Sequence, residues 1–296
     1  MKVLVTGSNG FIGRELIKEL KKGKKFQVRE FDRSQGFDLL DETSLKKALT
    51  GIEIVVHLAA CLDENNKKLM KKVNVAGTRK LLEACRKTGK IKQFVFVSTL
   101  GVFGKTKQKV NEKSKRKPET FYEKTKLKGE KLVENCSEFK TTILRLALIY
   151  GPNEYWKNIV RLISNGYPLI GKGKNYWQLL YFKDAVKALK LVLNNEKAFN
   201  KSFNVSESEK YAVSEIVEIV RKELKLAGNQ KKVNYFIGLL ISYFLKMRGK
   251  KTLLPEHVKR LNRHRLNDNS KIKKLGWKTE FNLKKGLKEI TKSVSK

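Results

Sequence analysis

The sequence predicts an α/β protein, with a doubly wound parallel sheet followed by a smaller C-terminal lobe. Three observations predict this fold. Short apolar strands alternate with helices over the first 150 residues, a glycine-rich turn joins the first strand to the first helix, and the alternation stops after Gly151-Pro152. Such alternation is typical of a parallel sheet that is covered by helices on both faces.

The elements follow one another in order along the chain. After the first strand, residues 11–20 read as a helix, and a second helix that includes 45–49 starts at the N-cap candidate Thr43 or Ser44. Apolar residues at helical spacing predict further helices over 73–87 and 122–136. The predicted strands are 2–6, 26–31, 54–58, 94–97 and 142–148.

Two later segments, a helix over 184–193 and a strand over 202–205, are expected to return to the sheet. We therefore divide the chain into a sheet domain, 1–150 with 179–206, and a smaller lobe, 151–178 with 207–296. The sequence contains no internal repeats, and its one low-complexity patch is a basic loop over 105–117.

The charge balance raises the question of a polyanionic partner. The 296 residues include 66 Lys and Arg against 29 Asp and Glu, a formal net charge of +37. The basic residues are spread along the whole chain, without a basic arm, a zinc knuckle or a helix-turn-helix. This favours a lysine-rich solvated surface over a specific nucleic-acid site. Weak adhesion to polyanions is still expected, and added salt should remove it.

The cysteines and histidines predict neither a disulfide framework nor a metal site. The three cysteines, without a CxxC pattern, are Cys61, Cys85 and Cys136. The three histidines, equally dispersed, are His57, His257 and His264. We expect His57 to be a hydrogen-bonded core residue. A strand and a glycine turn begin at once in MKVLVTGSNG, which is unlike a signal peptide, so a reducing cytoplasm is the expected location.

An apolar run covers residues 236–245 and is too short for a membrane span, which needs about 20 residues. The basic residues that flank it are Lys231, Lys232, Lys246, Arg248, Lys250 and Lys251. This pattern is typical of a helix at the surface of an anionic membrane, and also of a helix that lines an apolar pocket. We favour the pocket or core interpretation.

The turn between the first strand and the first helix has the spacing of a dinucleotide site. Gly7 permits the tight turn, Gly10 lets the backbone approach a pyrophosphate, and Gly13 allows the helix to pack on the strand. The helix N-terminus then offers N–H groups to the phosphates. Asp32 ends the second strand, where a carboxylate accepts from ribose hydroxyls and disfavours a 2′-phosphate. The cofactor is therefore predicted to be NAD, although the adjacent Arg33 leaves NADP open.

Tyr122 and Lys126 form a YxxxK pair on a predicted helix, where a spacing of four places both side chains on one face. An ammonium beside a phenol lowers the pKa of the phenol and makes tyrosine a usable acid or base. The spacing alone is also that of two surface residues on a lysine-rich helix. The glycine turn earlier in the chain is what makes the catalytic interpretation worth pursuing.

Taken together, these motifs resemble the extended short-chain dehydrogenase/reductase family, which includes NAD-dependent nucleotide-sugar epimerases and dehydratases. The resemblance runs nearly from end to end. It is carried in order by GSNGFIG at 7–13, FDLLD at 37–41, HLAA at 57–60, NVAGT at 74–78, FVSTLGVFG at 96–104, YEKTK at 122–126, LRLALIYGP at 144–152, YFKDAVKAL at 181–189, FNVSE at 203–207 and LGW at 275–277.

The resemblance implies roles for individual residues. Tyr122 would transfer the hydroxyl proton, Lys126 would hold the ribose and tune Tyr122, and Thr99 would hydrogen-bond the reacting oxygen. The residues implied to contact the cofactor are Gly7, Asn9, Gly10, Phe11, Ile12, Gly13, Asp32, Arg33, Asp38, Leu39, Leu58, Ala59, Ala60, Asn74, Val97, Ser98, Tyr122 and Lys126. Simpler interpretations remain for some of them: Ser98 and Thr99 as a strand cap, Ala59 and Ala60 as packing, and Asp38 as a helix-entry acid.

Two departures from the family pattern bear on the reaction. Leu100-Gly101 stands where dehydratases of the family resemble one another in an acid pair, which argues against dehydration. Trp177 stands where many nucleotide-sugar members carry a diphosphate-binding arginine. A diphosphate would then need another cation, for which Lys172, Lys174 and Arg161 are the candidates.

The sequence leaves several functional hypotheses open. The first is an epimerase that holds NAD, passes through a keto-sugar and returns the hydride to the other face of a nucleotide sugar, with no net oxidation. The alternative is an NAD(P)-dependent dehydrogenase or reductase of an apolar or lipid-linked alcohol or ketone. A third, a cofactor-binding regulatory protein, conflicts with the Thr99, Tyr122 and Lys126 set. The resemblance also implies a homodimer through helices at about 63–88 and 120–136, which lysine-rich outer faces would oppose.

Overall fold

A computed structural model describes residues 1–106, 108–249 and 253–294. Lys250 and Lys251, two of the basic residues that flank the apolar run, and Lys107 of the basic loop lie outside the described residues. The strands are β1 Lys2–Thr6, β2 Gln27–Phe31, β3 Ile54–His57, β4 Gln93–Thr99, β5 Lys140–Leu146, β6 Leu148–Tyr150, β7 Leu169–Ile170, β8 Tyr176–Trp177, β9 Leu179–Tyr181, β10 Lys201–Val205, β11 Tyr211–Ala212 and β12 Lys232–Val233.

The helices follow the strands in the order that the sequence predicts for the first half of the chain. They are α1 Phe11–Lys21, α2 Glu42–Leu49, α3 Lys67–Lys71, α4 Thr78–Thr88, α5 Phe121–Glu134, α6 Glu154–Ser164, α7 Phe182–Val192, α8 Val213–Glu223, α9 Tyr235–Met247, α10 Pro255–Leu261, α11 Ser270–Lys273 and α12 Leu283–Val294. A π-helical stretch, Lys72–Gly77, joins α3 to α4, where the sequence predicts one regular helix over 73–87.

The central sheet has six strands in the order β10-β5-β4-β3-β1-β2, and every neighbouring pair is parallel. This confirms the predicted doubly wound α/β fold. Because β2 and β3 pair with opposite sides of β1, the strand order reverses there. The crevice at the carboxyl ends of the strands beside such a reversal is where α/β proteins bind ligands.

Helices cover both faces of the sheet. On one face Leu16 and Leu20 of α1 pack with Leu189 of α7, and on the other Leu81 of α4 packs with Leu45 of α2. Helices α4 and α5 lie next to each other on this second face. The homodimer that the sequence suggests through these two helices stays a prediction.

A buried charge network ties α5 to the sheet. Glu130 of α5 is fully buried, and its carboxylate accepts three hydrogen bonds, of 2.9–3.1 Å, from Nε and Nη2 of Arg145 on β5. Arg116 donates to the same carboxylate at 2.8 Å. Arg145 is itself almost fully buried, so each charge compensates the burial of the other. The network fixes the helix that carries Tyr122 and Lys126.

His57 is buried at the end of β3, as expected of a core histidine. Its Nδ1 lies 2.7 Å from Oγ1 of Thr6, and its Nε2 lies 2.9 Å from Oγ1 of Thr78. Burial, and to a smaller extent the positive charge of Lys126, lower the pKa of His57 to about 3. The imidazole is therefore neutral and joins β1, β3 and α4.

A third hydrophobic cluster joins the two units: α6, α8 and α12 of the smaller lobe pack around Tyr150 and Tyr181, which belong to the ranges of the sheet domain. Residues 262–277 begin in the smaller lobe, where Arg265 forms a β-bridge with Trp177, and then return to the sheet domain. Asn267 forms a β-bridge with Val110, the Asn269 amide donates to the Ser206 carbonyl, and the Trp277 indole donates to the Asp184 carbonyl. We call residues 262–277 the return segment, and keep the division into two units as a proposal.

The apolar run forms α9, and the pocket or core interpretation of it is wrong. In α9 only Gly238 and Ser242 are fully buried and Leu239 and Leu245 are partly buried, while most of the large apolar side chains face outward. The helix packs on the lobe through its smallest residues, which a hydrophobicity pattern cannot reveal. Among the described residues, the chain has no helix of sufficient length and apolarity to cross a membrane.

Candidate active site

A cavity of about 1080 Å³ lies at the carboxyl ends of the central strands, between the sheet and the smaller lobe. It brings together most of the residues that the sequence singles out. Those that line it are Gly7, Gly10, Phe11, Ile12, Gly13, Asp32, Arg33, Asp38, Leu39, Leu58, Ala59, Ala60, Val97, Ser98, Thr99, Tyr122 and Lys126.

Asn9 and Asn74 do not line this cavity. Asn9 donates its backbone N–H to Asp32 at 3.1 Å and so braces the turn. Asn74 is buried in the π-helical stretch, where its amide bonds to both backbone polar groups of Cys61 and donates to Oγ1 of Thr125 at 3.0 Å. It therefore positions the 61–65 wall of the cavity and the helix α5.

The glycine turn has room for a ligand only because it lacks side chains. Gly7 has a φ of +71°, and a Cβ there would lie 2.7 Å from the Ala59 nitrogen. A Cβ on Gly13 would lie 2.2 Å from the Gly7 carbonyl oxygen. Helix α1 starts after Gly10 with no side-chain cap and no acidic residue in its first turn. This N-terminus suits an anion, so the turn fits the pyrophosphate of a dinucleotide.

Asp32 closes the turn from the end of β2. Its carboxylate accepts from the backbone N–H of Asn9 and from both the N–H and the hydroxyl of Ser34. Partial burial raises the pKa of Asp32, but these hydrogen bonds outweigh it and hold the pKa below its usual value. A fixed negative charge therefore borders the cavity. Asp38 also lines it, and its carboxylate accepts from the Leu40 N–H at 2.9 Å.

The end of β4 and one face of α5 supply the polar groups at the centre of the cavity. The Thr99 hydroxyl accepts from the Gly101 N–H at 3.1 Å, which leaves its proton available. The neighbouring Ser98 hydroxyl is buried, and within the described residues it has no hydrogen-bond partner. The ammonium of Lys126 lies 4.2 Å from the centre of the Phe96 ring. An unpartnered hydroxyl beside a buried ammonium is the type of environment that holds a polar cofactor.

The electrostatics of the YxxxK pair differ from the sequence expectation. Burial raises the pKa of Tyr122 to about 12, the negative charges of Glu123 and Glu64 contribute, and Arg260 opposes them. Burial also lowers the pKa of Lys126 to about 8, although Glu130 opposes this change. The expectation of a lowered phenol pKa is wrong, chiefly because the phenol is buried, and secondarily because the carboxylates of Glu123, its neighbour on α5, and of Glu64 disfavour the phenolate.

A group of cations that the sequence analysis did not identify enters the cavity from α10 and the start of the return segment. We call Arg260, Arg263 and Arg265 the arginine cluster, and all three line the cavity. Arg260 pairs with Glu64 at 3.1 Å, and Arg263 pairs with Glu119 and Glu123. The dense basic stretch KRLNRHRL at 259–266 is the signal that could have found them.

Arg265 is the member of the arginine cluster best suited to an anion. Its guanidinium carbon lies 4.6 Å from the centre of the Trp177 ring, and within the described chain no carboxylate forms a salt bridge with it. Burial, and to a smaller extent Arg260 and Arg263, lower the pKa of Arg265 to about 10. A half-buried arginine in this condition is stabilised by a bound anion.

Trp177 packs against the arginine cluster on the side away from the cavity. It does not line the cavity, and its indole N–H donates to the Arg263 carbonyl at 2.8 Å. The sequence candidates for a substitute cation, Lys172, Lys174 and Arg161, do not line the cavity either. The cations that do line the cavity are those of the arginine cluster. Arg265 lies about 90 residues after Trp177 in the chain, but the fold brings the two side chains into contact.

With the geometry established, comparison with known proteins is informative. A model of the NAD-dependent epimerase/dehydratase family matches residues 3–206. The chain belongs to this family. NAD is the cofactor of the family, and the glycine turn, Ser98 and Lys126 offer what a dinucleotide needs. Among the described residues, no group of three His, Cys, Asp or Glu side chains could hold a metal ion.

Two curated relatives show how the family extends beyond the matched region. The chain is 28% identical, over 96% of its length and 92% of the relative, to the N-acetyl-α-D-glucosaminyl-diphospho-ditrans,octacis-undecaprenol 4-epimerase of Escherichia coli O157:H7. It is 30% identical, over 74% of its length and 81% of the relative, to an uncharacterised UDP-glucose epimerase of Bacillus subtilis (strain 168). Both relatives are named as epimerases.

Solved structures share the fold over the whole chain. The NAD complex of UDP-glucuronic acid 4-epimerase from Bacillus cereus superposes with a TM-score of 0.82, at 23% identity, and covers 100% of this chain and 99% of that one. The return segment and the smaller lobe thus belong to a known architecture of epimerase/dehydratase proteins.

In this member of the epimerase/dehydratase family, the wall beside the threonine is closely packed. Leu100 is buried, and Gly101 abuts Glu123, so that a Cβ on Gly101 would lie 2.8 Å from Cγ of Glu123. The Glu123 carboxylate accepts from the N–H groups of Glu119 and Thr120 and faces Arg263. Glu123 therefore occupies the space that a side chain at position 101 would need, and its carboxylate is already engaged.

Proposed function

We propose that this protein is an NAD-dependent epimerase of a nucleotide sugar, and more generally of a sugar joined to a diphosphate. The observation that supports the proposal is that two groups of residues line one cavity. The same cavity is lined by the Thr99, Tyr122 and Lys126 set and by Arg265, for which no carboxylate partner is found in the described chain. A hydroxyl-oxidising centre and a diphosphate-binding cation are the two parts that such a substrate requires.

We assign the cofactor-binding roles as the sequence motifs imply. The glycine turn would hold the pyrophosphate against the N-terminus of α1, and Asp32 would accept from the adenine ribose hydroxyls. The carboxylate of Asp32 supports NAD over NADP because it disfavours a 2′-phosphate. The Ser98 hydroxyl and the Lys126 ammonium would bind the cofactor from the opposite wall. Bound NAD supplies a reversible acceptor for the hydride of the sugar carbon.

The chain's own groups move the proton. Tyr122 would accept the proton of the sugar hydroxyl while the carbon that bears this hydroxyl is oxidised. It would return the proton once the keto-sugar has rotated to present its opposite face to the cofactor. Thr99 would donate a hydrogen bond to the same oxygen. Lys126 has a pKa of about 8, so its ammonium is mostly charged at pH 7. We assign it the role of favouring the Tyr122 phenolate during proton transfer, against the burial that raises the pKa of the phenol to about 12.

Dehydration is not part of the proposal. The elimination of water requires an acid and a base beside the threonine, and Leu100-Gly101 offers neither. Glu123 stands close by, but its oxygens accept backbone hydrogen bonds and face Arg263. This environment supports a structural role for Glu123.

The proposed reaction is redox-neutral, and this property provides the test. The purified protein is incubated with NAD and a panel of nucleotide sugars and lipid-linked diphosphate sugars. We expect interconversion of one epimer pair, detected by chromatography or NMR, without stoichiometric formation of NADH at 340 nm. Stoichiometric change in NADH absorbance with an apolar alcohol or ketone, and no epimerisation across the panel, would contradict the proposal in favour of net oxidoreduction.

Replacing Arg265 by methionine tests the diphosphate assignment. Methionine can still pack on Trp177, but the charge is lost, and a charge-assisted hydrogen bond contributes about 1.5–3 kcal/mol. We expect KM for the diphosphate sugar to rise about 10- to 150-fold with a smaller change in kcat. Lys172→Met is the matched control, since Lys172 lies outside the cavity. Equal effects of the two substitutions on KM would overturn the assignment.

A further inference from the structure

Helix α9 has the reverse of the usual distribution of side chains. Its large apolar residues are exposed: Phe236 is 75%, Leu240 71% and Met247 80% accessible. Positions 236, 240 and 247 fall on one side of a helix, because they are spaced by four and seven residues. A helix that turned this side inward would bury it in the core, so the outward orientation requires an explanation.

The inner face of α9 explains how the orientation is fixed. Gly238 lies against Ile170, and a Cβ at Gly238 would approach the Ile170 side chain to 2.6 Å. The hydroxyl of Ser242, which is also buried, donates to the Leu239 carbonyl within the same helix. The helix therefore approaches the lobe most closely at Gly238 and Ser242, with Leu239 and Leu245 partly buried beside them, and any larger residue at 238 would lift it away.

The border of this exposed face is mostly basic, with one acid, Glu256 of α10. No Asp or Glu occurs between residues 231 and 249. Lys231 and Lys232 precede α9, and Lys246 and Arg248 are exposed at its end. From the neighbouring helix α10, the Lys259 ammonium donates to the Tyr243 hydroxyl at 3.2 Å. Glu256 pairs with Lys246 at 3.3 Å, which leaves the border strongly cationic.

We propose that α9 docks the protein on the surface of an anionic phospholipid bilayer. The helix would lie in the plane of the headgroups, with its exposed apolar face in the acyl boundary and its basic border at the phosphates. Charge complementarity selects this occupant. A second copy of the chain would bring two cationic borders together, and an RNA would match the charges but leave the apolar face in water.

The docking surface adjoins the cavity. Helix α9 packs on α10, and α10 contributes His257 and Arg260 to the cavity wall. A bilayer under α9 would therefore lie one helix away from the arginine cluster. The docking proposal does not depend on which substrate the cavity accepts, and it can be tested without an assay of activity.

Sedimentation with vesicles tests the proposal on the full-length protein. The probes are vesicles of phosphatidylcholine alone and of phosphatidylcholine with phosphatidylglycerol. We expect binding to the anionic vesicles, weaker binding to the neutral ones, and release by salt. The double substitution Phe236→Ser and Leu240→Ser should weaken binding at least ~10-fold, because two large side chains no longer enter the boundary. Substituting Lys232 and Arg248 by Gln should reduce the preference for anionic vesicles, and the rest of the net charge of +37 should keep part of it.

Leu162→Ser is the matched control, since Leu162 is a half-exposed leucine on α6, away from α9. It should leave vesicle binding unchanged, and all variants should keep the wild-type melting temperature because they alter exposed residues.

Absence of vesicle binding, or binding that the α9 substitutions do not weaken, would overturn the proposal. A wild-type dimer that the α9 substitutions dissociate, in sedimentation velocity without lipid, would overturn it in favour of a second copy. Retention on RNA in place of vesicles would overturn it as well.

Discussion

Replacing Tyr122 by phenylalanine is expected to lower kcat about 10²- to 10⁴-fold, the usual contribution of a positioned acid or base. The phenol lines the same cavity as Thr99 and Lys126, and phenylalanine removes the hydroxyl without opening space. Because the glycine turn and Asp32 are untouched, NAD should still bind. Steady-state kinetics with the epimer pair measure the loss, and calorimetric titration measures the binding of NAD.

Tyr155→Phe is the control for the loss of a hydroxyl in this cavity. Tyr155 also lines the cavity but is more than half exposed, on the first turn of α6. This change should leave kcat near the wild-type value. Turnover by Tyr122→Phe at a rate similar to that of Tyr155→Phe would show that Tyr122 is not the acid or base.

Replacing Glu130 by alanine is expected to destabilise the fold by about 3–5 kcal/mol, because it leaves a buried arginine without its partner. Arg145 is 2% exposed and donates all three of its close charge-assisted bonds to Glu130. Equilibrium unfolding in urea measures the change. Glu130→Gln should cost less, since an amide keeps one acceptor and nearly the same volume.

The exposed acid Glu83 on α4 provides the comparison for this stability prediction. Glu83→Ala should change the free energy of unfolding by no more than about 0.5 kcal/mol. If Glu130→Ala and Glu83→Ala had the same small effect, the buried network would not stabilise the attachment of α5 to the sheet.

The sheet domain could be predicted because its signals are local. The glycine turn, Asp32 at the end of β2 and the alternation of strands with helices are each set by neighbouring residues, and the structure contains the predicted parallel sheet. The return of the strand over 202–205 was also predicted, and β10 pairs with β5 at the sheet edge. Periodicity and turn chemistry determine such features before any long-range contact forms.

The arginine cluster and the phenol pKa could not be predicted, since the first depends on contacts between residues distant in the chain and the second mainly on burial in the folded protein. Arg265 reaches the cavity only because the segment that carries it is held by Trp177, almost 90 residues earlier. Glu64 approaches Tyr122 from another wall. The orientation of α9 also depends on distant residues. An apolar run predicts a helix, but it does not show which side of the helix packs on the rest of the protein.

The return segment has a consequence for attempts to change specificity by exchanging C-terminal halves between relatives. Its residues bond to Val110, Asp184 and Ser206 of the sheet domain. In a chimera with a crossover after residue 206, these three contact points would come from one parent and the return segment from the other. A chimera built in that way would lose stability for reasons unrelated to its substrate. A productive exchange would have to transfer residues 262–277 together with their three contact points on the sheet domain.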